Sequence, residues 1–286
     1  MPKALILTIL VMFSSTSNNL LAAPKADLWE RWTVHDSSSD MRIDHRHWGQ
    51  LLRQYLYVGE DGIHLFAYGR VSEADRDKLN RYIDRLSQTA ISSYNRDVQR
   101  AYWINLYNAL TIQEVLRFFP IASIRDISSG IFSAGPWDKE LTTVEGEDLT
   151  LNDIEHRILR PIWRDPRIHY AVNCASIGCP NLRLRVYTGG NTDYRLDRAA
   201  REYINHPRGA AVTDGKLRVS SIYDWFIADF GGDDAGVIAH LKQYATPELA
   251  RSLATVSEID GDDYDWSINS VSKVKNVHRV RPRIGS

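Results

Sequence analysis

Arg167-Ile168-His169-Tyr170-Ala171-Val172-Asn173-Cys174-Ala175-Ser176-Ile177-Gly178-Cys179-Pro180-Asn181-Leu182 is an apolar run that ends abruptly in small residues, Gly and Pro. Ile168 to Asn173 has the length and the β-branched and aromatic content of a buried strand. Ala175 to Pro180 has the small residues, Gly and Pro of a tight turn. A strand ending in such a turn holds reactive side chains still while the loop aims them. Both cysteines of the protein lie here, beside His169.

Upstream, the run from Asn95 to Phe119 has no Gly or Pro and predicts the longest helix. Its middle, from Ala101 to Leu110, is apolar nearly all round, which places it through the centre of the domain. Asn105 and Asn108 lie three apart on one face of it. They either tie down a nearby loop or line a pocket, because a buried amide without a partner costs roughly 1–3 kcal/mol. Helices are also predicted over 47–58, from Ser72 with a capping-box spacing to Asp75, and from Thr150 to Arg160, where Pro161 ends it. Asn191 to His206 predicts another, with Tyr194, Leu196, Ala199 and Tyr203 facing inward. Glu145-Gly146 and Asp214-Gly215 mark two hairpins, and Tyr264 to Ile268 reads as a last strand. The expected fold class is α+β: a single helix-rich domain with a small, mainly antiparallel sheet that includes Ile168 to Asn173 and packs on the central apolar helix.

The 286 residues are 43% hydrophobic and 25% charged, an ordinary globular balance. Lys3, the apolar run Ala4 to Phe13 and the small residues up to Leu-Ala-Ala-Pro24 have the form of a secretory signal peptide. The expected organisation is therefore a signal peptide over 1–22, a leader over 23–39, one domain over 40–270 and a basic tail over 271–286. No transmembrane segment is expected in the mature chain, whose expected location is periplasmic or secreted. The formal net charge of −1 supplies no field to collect nucleic acid. The basic tail, Lys273 to Arg283, reads as a solvated end.

Three kinds of chemistry compete at the cysteines. A nucleophilic Cys174 needs a cation or base, and His169, five residues earlier, reaches it only if the strand ends between them. His156 is the substitute base, and Asn105 or Asp265 would orient the imidazole. Amides of Ala175 to Gly178 are candidate oxyanion donors. A Cys174–Cys179 disulfide is the competing structural reading for an exported chain. Zinc through His169, Cys174 and Cys179 lacks a fourth ligand, so no metal or cofactor is expected. Asn108, Trp103, Trp266 and Asp265 are candidate pocket residues. A rival carboxylate site would draw on Glu155, Asp138, Asp224 and Asp265.

Five segments, Tyr102 to Asn108, Leu151 to Arg160, Ile168 to Pro180, Ser221 to Phe226 and Tyr264 to Asn269, together resemble the family called domain of unknown function 547, in its bacterial, exported branch. The resemblance covers roughly residues 40 to 270. It implies that His169, Cys174, Asn105 and Asn108 fall at motif positions and that the position of Cys179 is Ser in plant relatives. Two functions are carried forward: a cysteine-dependent acyl-transfer enzyme acting on an amide or ester, or a non-catalytic envelope binding module with a structural disulfide. Its partner would be a small molecule or an envelope component.

Overall fold

The computed structural model describes residues 24–127, 135–273 and 277–279. The signal-peptide reading and most of the basic tail lie outside them. Helix α1 spans Arg46–Tyr55 and leads directly into β1, Leu56–Gly59, which pairs antiparallel with β2, His64–Phe66. Helix α2, Glu73–Ser87, begins where Ser72 accepts the Asp75 N–H, and α3, Arg96–Phe118, where Asn95 accepts the Val98 N–H. Strands β3, Thr142–Val144, and β4, Glu147–Leu149, form the first expected hairpin. The second joins β5, Ala210–Thr213, to β6, Lys216–Ser220. Each turns on a non-glycine residue and a glycine that both have positive φ, Glu145-Gly146 and Asp214-Gly215. Helix α3 is buried along most of its length, so the fold is α+β around a central apolar helix.

Among the described residues three small sheets replace the one expected. They are β2-β1-β8, with β8 at Val277–Arg279; β3-β4; and β5-β6-β7, with β7 at Gly261–Asp263 running parallel to β6. Residues 264–270 are extended but make only isolated bridges, Ser267 to Ser123, Ile268 to Ser176 and Ser270 to Phe66. The chain between β4 and β5 carries α4, Arg160–Trp163, and α5, Thr192–Ile204; after β6 come α6, Ser221–Trp225, α7, Asp234–Tyr244, and α8, Pro247–Leu253. Tyr194, expected to face inward, is 60% exposed and lies beside Arg198 instead. Among the described residues no helix is long and apolar enough to cross a membrane.

Ile168 to Asn173 is not a strand. Pro166–Tyr170 forms a 3-10 helix, started where Asp165 accepts the Arg167 N–H. The residues after it are paired by a side chain rather than by a neighbouring strand. Asn108 donates to the Ala171 carbonyl at 2.9 Å and accepts from the Asn173 N–H at 2.8 Å. One carboxamide thus does the work of two ladder bonds, and the backbone is satisfied without a sheet.

Pro161 does not end its helix either. Residues 153–159 adopt a π-helix that continues into α4. Pro161 has no N–H to give, and the carbonyls one turn back, of His156 and Arg157, accept from Asp27 and Trp29 of the leader at 2.9 and 3.0 Å.

Candidate functional site

After Asn173 the chain folds into a loop held from inside. The Asn173 side chain donates to the Pro180 carbonyl at 2.7 Å and accepts from the Ala175 N–H at 2.9 Å, closing both ends on one residue. Ala175 takes φ +60°, a left-handed conformation that costs a non-glycine residue about 1–2 kcal/mol. Strain of this kind beside a thiol persists because the surrounding bonds over-determine it. Segment 264–270 covers the loop: Ile177 and Gly178 donate to the carbonyls of Ser267 and Asp265, and Asn269 donates to that of Ala175. Gly178 has to be glycine, since a Cβ there would lie 2.9 Å from the Tyr264 ring.

The loop brings its two thiols together. Both are free; Cys179 is 4% exposed and Cys174 is partly exposed. The Cys174 N–H points at the Cys179 sulfur at 2.9 Å. The Tyr264 hydroxyl lies 3.1 Å from each sulfur and 2.8 Å from the Ser176 hydroxyl, which is itself 3.1 Å from the Cys174 sulfur. Burial raises the pKa of a thiol, and for Cys174 it does so strongly. At Cys179 burial is outweighed by the hydrogen bonds from Cys174, Tyr264 and Ser176, which bring it down to about 7. The hydrogen bonds thus favour the thiolate at Cys179, and burial disfavours it at Cys174.

The histidines are elsewhere. His169 is 3% exposed and stacks on Phe226 at 4.3 Å, with Nε2 2.7 Å from Asp229 and Nδ1 3.5 Å from Glu155. Burial alone would lower its pKa, but the hydrogen bonds and charges of Asp229 and Glu155 raise it. An imidazolium between two carboxylates donates from both nitrogens and has no lone pair with which to act as a base. Arg160 completes the group, donating to Asp229 at 2.6 Å and approaching His156 Nδ1 at 2.9 Å. His156 is held neutral: burial is the main cause of its pKa near 4, and Arg160 adds to it. Among the described residues neither histidine hydrogen-bonds to a sulfur.

The other expected site residues divide in the same way. Asn105 clamps Tyr187, donating to its carbonyl at 2.8 Å and accepting from its N–H at 3.2 Å, so it orients no imidazole. Asn108 reaches the loop through Asn173. Trp103 is core, packed on Trp32 and Tyr102, and forms no pocket wall. Trp266 does lie near the thiols, stacked with Trp225 and 4.7 Å from the Tyr264 ring. The Asp265 carboxylate accepts the Ser267 N–H. Amides of Cys174, Ala175, Ile177, Gly178 and Cys179 are all engaged, which leaves no paired donors in the loop for an oxyanion. In the rival carboxylate site, Glu155 is consumed by His169, Asp138 accepts from Asn152 at 2.6 Å, and Asp224 is exposed.

Tyr264, Ser176 and Asn173 were not singled out as site residues by the sequence reading, nor were Arg160 and Asp229 in the ionic group. Tyr264 carried a signal, since it opens one of the five segments on which the resemblance rests.

No curated protein and no solved structure matches the chain. The model of the family described as "Protein of unknown function, DUF547" matches residues 91–204, a span that holds α3, the π-helix and the thiol loop but not Tyr264. Over that span, less than half of its length, the chain is similar to the domain of unknown function 547 family.

Proposed function

We propose that the chain is a thiol–disulfide exchange protein whose reacting pair is Cys174 and Cys179. The observation that carries this reading is the shared hydroxyl, with both sulfurs 3.1 Å from Tyr264. Two thiols on one donor, one acidified and the other partly exposed, are arranged to exchange electrons with an external disulfide. The sequence from Lys3 to Pro24 supports export, and an oxidising compartment would supply that disulfide. Acyl transfer by Cys174 is less well supported, because His169 and His156 are committed to charged neighbours and the loop amides are occupied.

The test is equilibration of the whole chain in glutathione redox buffers, with mass spectrometry of the 174–179 peptide. A disulfide that forms and reverses between roughly −270 and −120 mV is expected of an exchange protein. One that resists reduction below about −300 mV would indicate the structural disulfide of a binding module. An acyl–Cys174 adduct trapped from an ester, with no disulfide in any buffer, would restore the acyl-transfer reading.

A further inference from the structure

The donors of the loop converge on the more buried of its two cysteines. Cys179 receives the Cys174 N–H and the Tyr264 hydroxyl and is buried, whereas Cys174 is the partly exposed residue of the pair. We propose that Tyr264 is a catalytic proton carrier between the two thiols, moving the thiolate from Cys179 to Cys174 when a disulfide arrives. The inference rests on the exchange reading given above.

A phenol has one proton to donate and lone pairs with which to accept. With Cys179 as thiolate, the Tyr264 O–H donates to it, and the Cys174 S–H, 3.1 Å away, donates to the phenol oxygen. Moving both protons one place along this line leaves Cys174 as thiolate, tyrosine neutral and Cys179 as thiol. Ser176 lies against both the phenol and Cys174, at 2.8 and 3.1 Å, and supplies a second hydroxyl through which a proton can leave. Tyr264 is well placed to do this because its ring is gripped by Trp225 and Trp266, at 4.8 and 4.7 Å, and by the empty side-chain position of Gly178.

The chemistry balances. The Cys174 thiolate attacks a disulfide RSSR, forming Cys174–S–S–R and releasing RS⁻. Cys179 then passes its proton through Tyr264 and Ser176 toward that thiolate and attacks the Cys174 sulfur, expelling a second RS⁻. One thiol and one thiolate plus RSSR become one protein disulfide, one RSH and one RS⁻.

The experiment follows alkylation of Cys174 by iodoacetamide from pH 5 to 10, in the full chain and in Tyr264→Phe, which keeps the ring packing and removes the hydroxyl. The wild type is expected to show a midpoint near pH 7, that of the pair. Tyr264→Phe should move it up by at least one pH unit, so that alkylation at pH 7 is about 5-fold slower or more, because only the thiolate reacts. Rates within twofold of each other in a folded variant would overturn the proposal. If the variant does not fold, the wild-type rate of oxidation by glutathione disulfide in mixtures of light and heavy water decides. Curvature from two moving protons supports the relay, and a dependence on one proton or none overturns it. A shifted alkylation profile in a chain that no disulfide can oxidise would keep the relay and sink the exchange reading.

Discussion

Two groups of titratable side chains are built on the segment from Glu155 to Cys179, one completed by Asp229 and the other by Tyr264, and they behave in opposite ways. Around His169 the charges are complete: Glu155 and Asp229 face His169 and Arg160, two anions against two cations. Around Cys174 and Cys179 every direct partner is neutral, an amide or a hydroxyl, and the group can lose a proton near neutrality. A closed set of ion pairs fixes structure, because removing any member strands a buried charge. A set of neutral donors around two sulfurs leaves a proton free to move. The nearness of His169 to Cys174 in sequence joins two sites that the fold keeps separate.

The comparison breaks most visibly at His169. Its replacement by Ala leaves Glu155 buried against fewer cations and should cost about 3–5 kcal/mol in chemical denaturation, while the midpoint of Cys174 alkylation stays put. If that midpoint moved by a full pH unit instead, the two groups would be one site.

Acidity separates the groups next. Glu155 titrates at about 2 in the fold; burial alone would raise it, but His156, which is protonated in that range, His169 and Arg160 outweigh burial. Its contribution, on the order of 3 kcal/mol, is present above its ordinary value of 4.5 and lost as pH falls toward 2. His169 is raised, so its contribution is complete below 6.5 and lost as pH rises through the folded value. His45, His156 and His240, lowered to about 4 chiefly by burial, weaken the fold as pH falls below 6.5. Stability of the wild type minus that of His169→Ala, which largely cancels the His45 and His240 terms, should therefore be greatest between about 4.5 and 6.5. A flat difference would show that His169 does not carry the charge assigned to it.

Two smaller effects sharpen the thiol side. Gly178→Ala places a Cβ 2.9 Å from the Tyr264 ring and 3.0 Å from the Asp265 nitrogen. It should cost about 1–3 kcal/mol by overpacking and raise the alkylation midpoint. Unchanged alkylation would mean that Tyr264 does not govern the sulfurs. Ala175→Gly relieves the positive φ but adds freedom to the unfolded chain, so thermal denaturation should show a net gain of only about 0.5 kcal/mol. A loss larger than that would show the Ala175 methyl group to be needed for packing.

What could be read without coordinates follows the range of the forces involved. Helix caps at Ser72 and Asn95 and turns at Asp214-Gly215 are set by bonds within a few residues, and those elements stand as expected. Ile168 to Asn173 carries a strand's composition, but what decided its form was Asn108, 63 and 65 residues away along its hydrogen bonds. No periodicity in the segment itself can register that. The same holds for Tyr264 at the sulfurs, 90 residues from Cys174, and for Asp229 at His169. Asn105 and Asn108 were legible as amides that needed partners; their partners turned out to be backbone.

The π-helix has one more consequence, for the order in which the chain assembles. Pro161 offers its helix no N–H, the His156 and Arg157 carbonyls one turn back accept from Asp27 and Trp29, and Arg160 holds the Pro24 carbonyl, 136 residues earlier. The leader is made first, yet its acceptors do not exist until the turn around Pro161 has formed. Closing so long a loop is slow compared with winding a helix. On that argument the first described residues of the protein dock late, and until they do the His156 and Arg157 carbonyls lack the Asp27 and Trp29 donors.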